Sequence, residues 1–261
     1  MDKSTLGGIT VALTGIVAGL LLEGGKITQV LQPTAAIIVF GGTIGAVMVQ
    51  FPLHAVVQAL VQLKHVVWEP KTESDNLIQH LLRYAYQARR DGLVSLDSEL
   101  EKIHDPFLHD SLALAIDGVN SAELRKMMEV QLDYQIEKND VVVKVYEAAA
   151  GFSPTIGIIG AILGLIQVMQ HLQNIDEVGK GIAVAFVATI YGVAAANLLF
   201  LPVAGKLRIR LRERQAVQEM TLEGVLAIME GINPRALEMR LNSYSSRPER
   251  RAAPAPLAAA S

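Results

Sequence analysis

Hydrophobic and polar positions divide the 261-residue chain into four long uncharged stretches and two charged blocks. Residues 6–22, 34–50, 151–170 and 181–205 contain no Asp, Glu, Lys or Arg. Each runs for roughly 20 residues, which at ~1.5 Å per residue matches a hydrocarbon core about 30 Å thick. The pattern predicts four transmembrane helices. Residues 151–205 are the centre of the scheme: two arms joined by a short polar hairpin, both rich in the Gly, Ala, Ser and Thr that let helices approach closely in lipid. All four stretches place small residues four apart, Gly15 with Gly19, Gly41 with Gly45, Gly160 with Gly164, and Gly192 with Ala196. That repetition predicts a packed bundle.

The block at 53–150 reads as helical throughout, with no alternating strand pattern. Ser74 can cap a helix to about Arg90, Asp91-Gly92 supplies a turn, and Ser95 with Glu99 opens a short helix. Asp105-Pro106 begins another, and Asn120 with Glu123 forms a capping-box pattern at the head of a long helix that can run on into the third span. The basic stretch at 206–214 alternates charged and apolar residues, as a strand would. A helix leaving the membrane, with its cations at anionic headgroups, is the preferred reading. The expected fold is thus an all-α integral membrane protein. Residues 1–52 hold spans 1 and 2, 53–150 a helical cytoplasmic domain, 151–205 spans 3 and 4, 206–243 a cytoplasmic helical segment, and 244–261 a Pro- and Ala-rich disordered tail.

Composition supports this division: 51% of residues are hydrophobic, too many for an ordinary soluble domain, yet 19% are charged, too many for a chain wholly in the membrane. There is no cysteine, which excludes disulfides and thiolate chemistry. Of the 23 Lys and Arg, 10 lie between residues 52 and 150 and 10 after Gly205. The loops at 23–33 and 171–180 hold only Lys26 and Lys180, so basic-residue bias puts both termini and the 53–150 block in the cytoplasm. A second apolar stretch comes after the first within a dozen residues and no small-residue cleavage pattern intervenes, so the first is a span and not a signal peptide.

No phosphate-binding loop, zinc-protease motif or nucleophile elbow is present, and the six histidines lack metal-ligand spacing. Neither an enzyme nor a cofactor is expected. Nucleic acid is not an expected partner either, because the basic residues track the membrane edge. The spans offer hydroxyls, including Thr10, Thr14, Thr43, Ser153, Thr155 and Thr189 with Tyr191 beside it, but no ionisable carboxylate. If ions cross this bundle, the carboxylate comes from another polypeptide. Pro154 and Pro202 each remove a backbone hydrogen bond near the cytoplasmic end of a span, and read either as punctuation or as a paired hinge. Across the Gly92 turn, Arg89 and Arg90 meet Asp97, Glu99 and Glu101, which form either a solvated face or a docking edge for a charged partner.

Taken together, the EGG at 23–25, the GG at 41–42, ARRDGLVSL at 88–96, PTIGIIGAILGL at 154–165, ATIYG at 188–192 and EGINPRALEMRL at 230–241 resemble the MotA/PomA family, the larger stator subunit of the bacterial flagellar motor. The resemblance covers about residues 5–242. It implies an inner-membrane ion channel and torque generator, self-associated as a pentamer around a single-span, peptidoglycan-binding partner of the MotB/PomB type. The partner would supply the missing carboxylate, and a rotor switch protein of the FliG type would receive the torque. By the same resemblance the basic torque residue falls on Arg89 and the acidic one on Asp97, where relatives usually carry Glu, with Arg90 and Glu99 as neighbours able to substitute. The conformational prolines fall on Pro154 and Pro202 and the channel-facing hydroxyl on Thr189, with Tyr191 beside it in the ion pathway. Sodium-driven relatives carry a second hydroxyl where this chain has Ala161, so a proton-driven motor is expected. The alternatives are an ExbB/TolQ-type energiser of a periplasmic partner and a non-conducting membrane scaffold.

Overall fold

The structure is a computed structural model that describes residues 3–67 and 74–244. The tail expected to be disordered lies, from residue 245, outside the described residues. Elements in chain order are α1 (Lys3–Leu22), α2 (Ile27–Val30), α3 (Pro33–Ala36), α4 (Gly42–Gln50), α5 (Leu53–Gln62) and α6 (Lys64–Val67). They continue with α7 (Ser74–Asp91), α8 (Asp97–Leu100), α9 (Pro106–Ile116) and α10 (Ser121–Gln170). The last three are α11 (Ile175–Ala194), α12 (Leu201–Met229) and α13 (Pro234–Asn242). Wide π-helical turns at Ile37–Gly41 and Ala195–Phe200 join α3 to α4 and α11 to α12. No strand occurs among the described residues.

Four helical runs are long and apolar enough to cross a membrane: Ser4–Leu22, Pro33–Gln50, Ser121–Gln170 and Ile175–Met229. The basic stretch after Gly205 is helical, part of α12, because no proline interrupts the chain between Pro202 and Pro234 and the helix runs on to the left-handed turn at Gly231. The short element expected from Ser95 begins earlier, as a 3₁₀ turn at Leu93–Leu96 that hands over to α8.

The chain folds into two compact units, Met1–Pro70 with Ile136–Leu211 and Lys71–Gln135 with Arg212–Ser261. In the first, Val142, Val143, Tyr146, Ala204 and Leu207 form a buried core with Val47, Ala59 and Val66. The Tyr146 hydroxyl donates to Ala59 O at 2.9 Å, tying α5 to α10. A second cluster, Ala35 and Val39 against Val187 and Ala188, joins the second span to the fourth. The expected small-residue packing is realised only in part. Cβ atoms added at Gly15, Gly19, Gly41 or Gly45 would meet nothing within 4 Å, so these pairs face away from the rest of the chain.

In the second unit α7 buries Ile78, Leu81, Tyr84 and Ala85, and Leu81 lies against Gly224 of α12. Caps explain the element starts. Asp105 accepts from Leu108 N at 2.9 Å and Asn120 from Glu123 N at 2.9 Å, each satisfying an amide that has no helical partner. The EGINPR stretch is a stop and then a start: Gly231 takes φ +68°, Asn233 accepts from Arg235 N at 3.0 Å, and Pro234 opens α13. Leu237 and Leu241 then bury fully.

Candidate functional site

The charged edge at the end of α7 is shaped by a glycine turn. Gly92 adopts φ +84°, a conformation that disfavours other residues, and the chain folds back so that Gln87 Nε2 donates to Ser95 O at 2.8 Å. Ser95 Oγ closes the turn by donating to Gly92 O at 2.6 Å. Leu96 is buried beneath it. Arg89, Arg90 and Asp97 are therefore exposed on one small, braced projection, and Glu99 is half-buried beside it.

The four charges are not equivalent. Arg90 is taken up by the adjacent Asp91, with Nη2 2.7 Å from Oδ2, and this hydrogen bond holds the Asp91 carboxyl below its ordinary range. Glu99 accepts from Lys102 at 2.8 Å and from Arg83 at 2.9 Å. Its carboxyl is likewise held low, first by the Lys102 hydrogen bond and further by the charges of Lys102, Arg83 and His80. Arg89 and Asp97 have no ion-pair partner among the described residues.

Elsewhere in the second unit, Glu223 of α12 binds Arg125 of α10 at 2.7 Å and also reaches Arg240 of α13. Sequence reading missed this junction because the three residues lie far apart in the chain and no spacing rule links them.

In the membrane unit the third and fourth spans meet backbone to backbone. A Cβ at Gly157 would fall 2.9 Å from Ala188 O, one at Gly164 2.8 Å from Gly181 O, and one at Gly192 2.5 Å from Ser153 O. Ser153, fully buried, donates to Gly192 O at 3.0 Å across this seam. Its neighbour Pro154 lies against Gly192, and Thr189 lies against Gly157. Thr189 Oγ1 donates to Ala185 O of its own helix at 3.2 Å. Ala161 is half-buried in the same helix as Pro154.

The two prolines differ in setting. Pro154 sits within the uninterrupted α10. Pro202 comes just after the wide turn at Ala195–Phe200, where Leu201 N bonds Ala196 O five residues back. A wide turn gives room to a ring that would otherwise strike the carbonyl four residues earlier. Pro202 is also ten residues beyond Gly192, the partner of Pro154, so at ~1.5 Å per residue the prolines are staggered by about 15 Å along the helix. Tyr191 is directed elsewhere than Thr189. Its hydroxyl donates to Val30 O at 2.6 Å and accepts from Gln32 N at 3.3 Å.

Four apolar helical spans, with glycine-mediated contact between the last two, define a multi-pass membrane protein. Residues 6–92 match the family model described as motility protein A N-terminal, and residues 99–220 match the MotA/TolQ/ExbB proton channel family. Motility protein A of Bacillus subtilis strain 168 is 32% identical over 245 residues, covering 94% of this chain and 91% of that protein. A solved structure of C. jejuni MotAB superposes with a TM-score of 0.91 at 31% identity, covering 97% of this chain and all of that one. The flagellar MotAB stator complex from Bacillus subtilis gives 0.84 at 31% identity, covering 93% and 96%. The chain belongs to the motility protein A family and is a flagellar motor stator subunit. The ExbB/TolQ-type and scaffold readings are thereby set aside.

Proposed function

We infer that this stator subunit forms a proton channel only together with a single-span, peptidoglycan-binding partner of the MotB type, and that proton flow is converted into torque on a FliG-type rotor protein. The observation that carries the reading is the lack of any Asp, Glu, Lys or Arg in the four apolar stretches, although a path for cations needs an ionisable group at membrane depth. The similar solved structures are MotAB complexes, in keeping with a partner that supplies that group. Ala161, in place of a second hydroxyl, favours protons over sodium. Both termini and the second unit lie in the cytoplasm by the distribution of Lys and Arg. Self-association as a pentamer accords with the unpacked Gly15, Gly19, Gly41 and Gly45. Arg89 and Asp97 meet the rotor, with Arg90 and Glu99 supporting the edge. Pro154 and Pro202 are the points at which the two protonation states of the partner favour different bundle arrangements.

Vesicles containing this chain alone should take up protons no faster than empty vesicles, and co-purified complexes with the partner should exceed that background clearly. Uptake by the chain alone above the empty-vesicle control would overturn the division of labour.

A further inference from the structure

Between α2 and α3 the helical ladder is broken. Leu31 (φ −84°, ψ 92°) and Gln32 (φ −122°, ψ 96°) are extended, and Pro33 has no N–H to offer. The break leaves Val30 C=O and Gln32 N–H without helical partners, just where the second span begins. A single oxygen serves both: Tyr191 O–H donates to Val30 O at 2.6 Å and accepts from Gln32 N at 3.3 Å. The ring also lies 6.3 Å, centroid to centroid, from that of Phe40. Below it, Ala35 and Val39 are fully buried against Val187 and Ala188. The hydroxyl thus partners two backbone groups that no helix serves, which gives it a defined task.

The same turn of the fourth span carries two other ties. Thr189 bonds Ala185 O, and Gly192 O accepts from Ser153 beside Pro154. Residues 189–192 are thus a junction where the start of the second span, the third span and the fourth span meet.

We propose that Tyr191 is a positioning residue whose hydroxyl latches the helix break at Leu31 and Gln32 to the fourth span, fixing the second span beside the Ser153–Gly192 seam. Its role is to hold backbone, with its proton committed to Val30 O. The latch itself stands on these contacts; its effect on conduction rests on the proton-channel reading.

Hydrogen exchange on purified, assembled stator complexes tests it. The Gln32 amide should exchange at least about tenfold more slowly than an unstructured amide, despite lying outside any helix. Tyr191→Phe removes only the hydroxyl and should erase that protection while peptides from α7 to α9 are unchanged. Phe40→Leu removes the ring contact and should leave the protection intact. Proton flux per assembled complex should fall several-fold in Tyr191→Phe and stay near wild type in Phe40→Leu. An unprotected Gln32 amide in the wild-type complex, or protection unaltered by Tyr191→Phe, would overturn the latch. Absence of flux from wild-type complexes would instead overturn the channel reading, and exchange would still decide the latch.

Discussion

Glu99 and Asp97 carry the same charge two residues apart, yet only Glu99 is paired among the described residues. The hydrogen bond from Lys102 and the charges of Lys102, Arg83 and His80 keep the folded-state pKa of Glu99 below its ordinary value. Its stabilising contribution is therefore complete above the unfolded pKa, about 4.3 for Glu, and is lost as pH falls through the lower folded value. Glu99→Gln should lower the melting temperature of the complex slightly at pH 7, with the gap closing below about pH 4. Asp97→Asn should leave melting unchanged and instead reduce swimming, because Asp97 has no ion-pair partner among the described residues. Equal swimming in the Asp97 variant and wild type, at equal membrane levels, would remove Asp97 from the rotor edge. The sequence showed the cluster of charges around Gly92 plainly. It did not show which were already spoken for, because Arg83 is sixteen residues from Glu99 and its pairing depends on the fold-back at Gly92.

At the scale of elements, the four spans were legible because a run of uncharged residues answers directly to the thickness of a bilayer. Their packing was not. A four-residue spacing of small residues finds Gly160 with Gly164 and Gly192 with Ala196, whereas the closest backbone approaches use Gly157, Gly164, Gly181 and Gly192. Which glycines meet depends on the register of two antiparallel helices, and a spacing rule within one helix carries no information on register. The consequence is testable by adding single methyl groups. Gly192→Ala brings a Cβ to 2.5 Å from Ser153 O, and the resulting overpacking should cost about 1–3 kcal/mol. Gly41→Ala meets nothing within the chain and should leave the stability of the isolated subunit unchanged. Thermal unfolding of the two purified subunits in detergent should separate them; indistinguishable transitions would show that the seam yields freely.

For the molecule as a whole, the sequence divides by hydropathy while the structure divides by contact, and the two divisions fall at different places. Two of the three change-overs between the compact units, at 135–136 and 211–212, lie inside the continuous helices α10 and α12, where no linker composition could mark them. The wide turn before Pro202 was equally hidden, since a proline in a helix announces a lost hydrogen bond but not how the chain absorbs it. That turn makes the length of the chain negotiable at one place. A π-helical turn holds one residue more than an α-helical path of the same course, so deleting one residue within 195–200 can return it to α-helix without rotating the rest of α12. Val203, Ala204 and Leu207 would keep their buried face, whereas a deletion just after Pro202 would bring Arg208 into the place of Leu207. The shortened turn, however, closes the room that the Pro202 ring occupies. A one-residue deletion within 195–200 should therefore lower the amount of protein in membrane fractions, and Pro202→Ala in the same chain should restore that amount on immunoblots, whatever its effect on rotation. An undiminished amount from the deletion alone would show that the extra residue and the proline are unrelated.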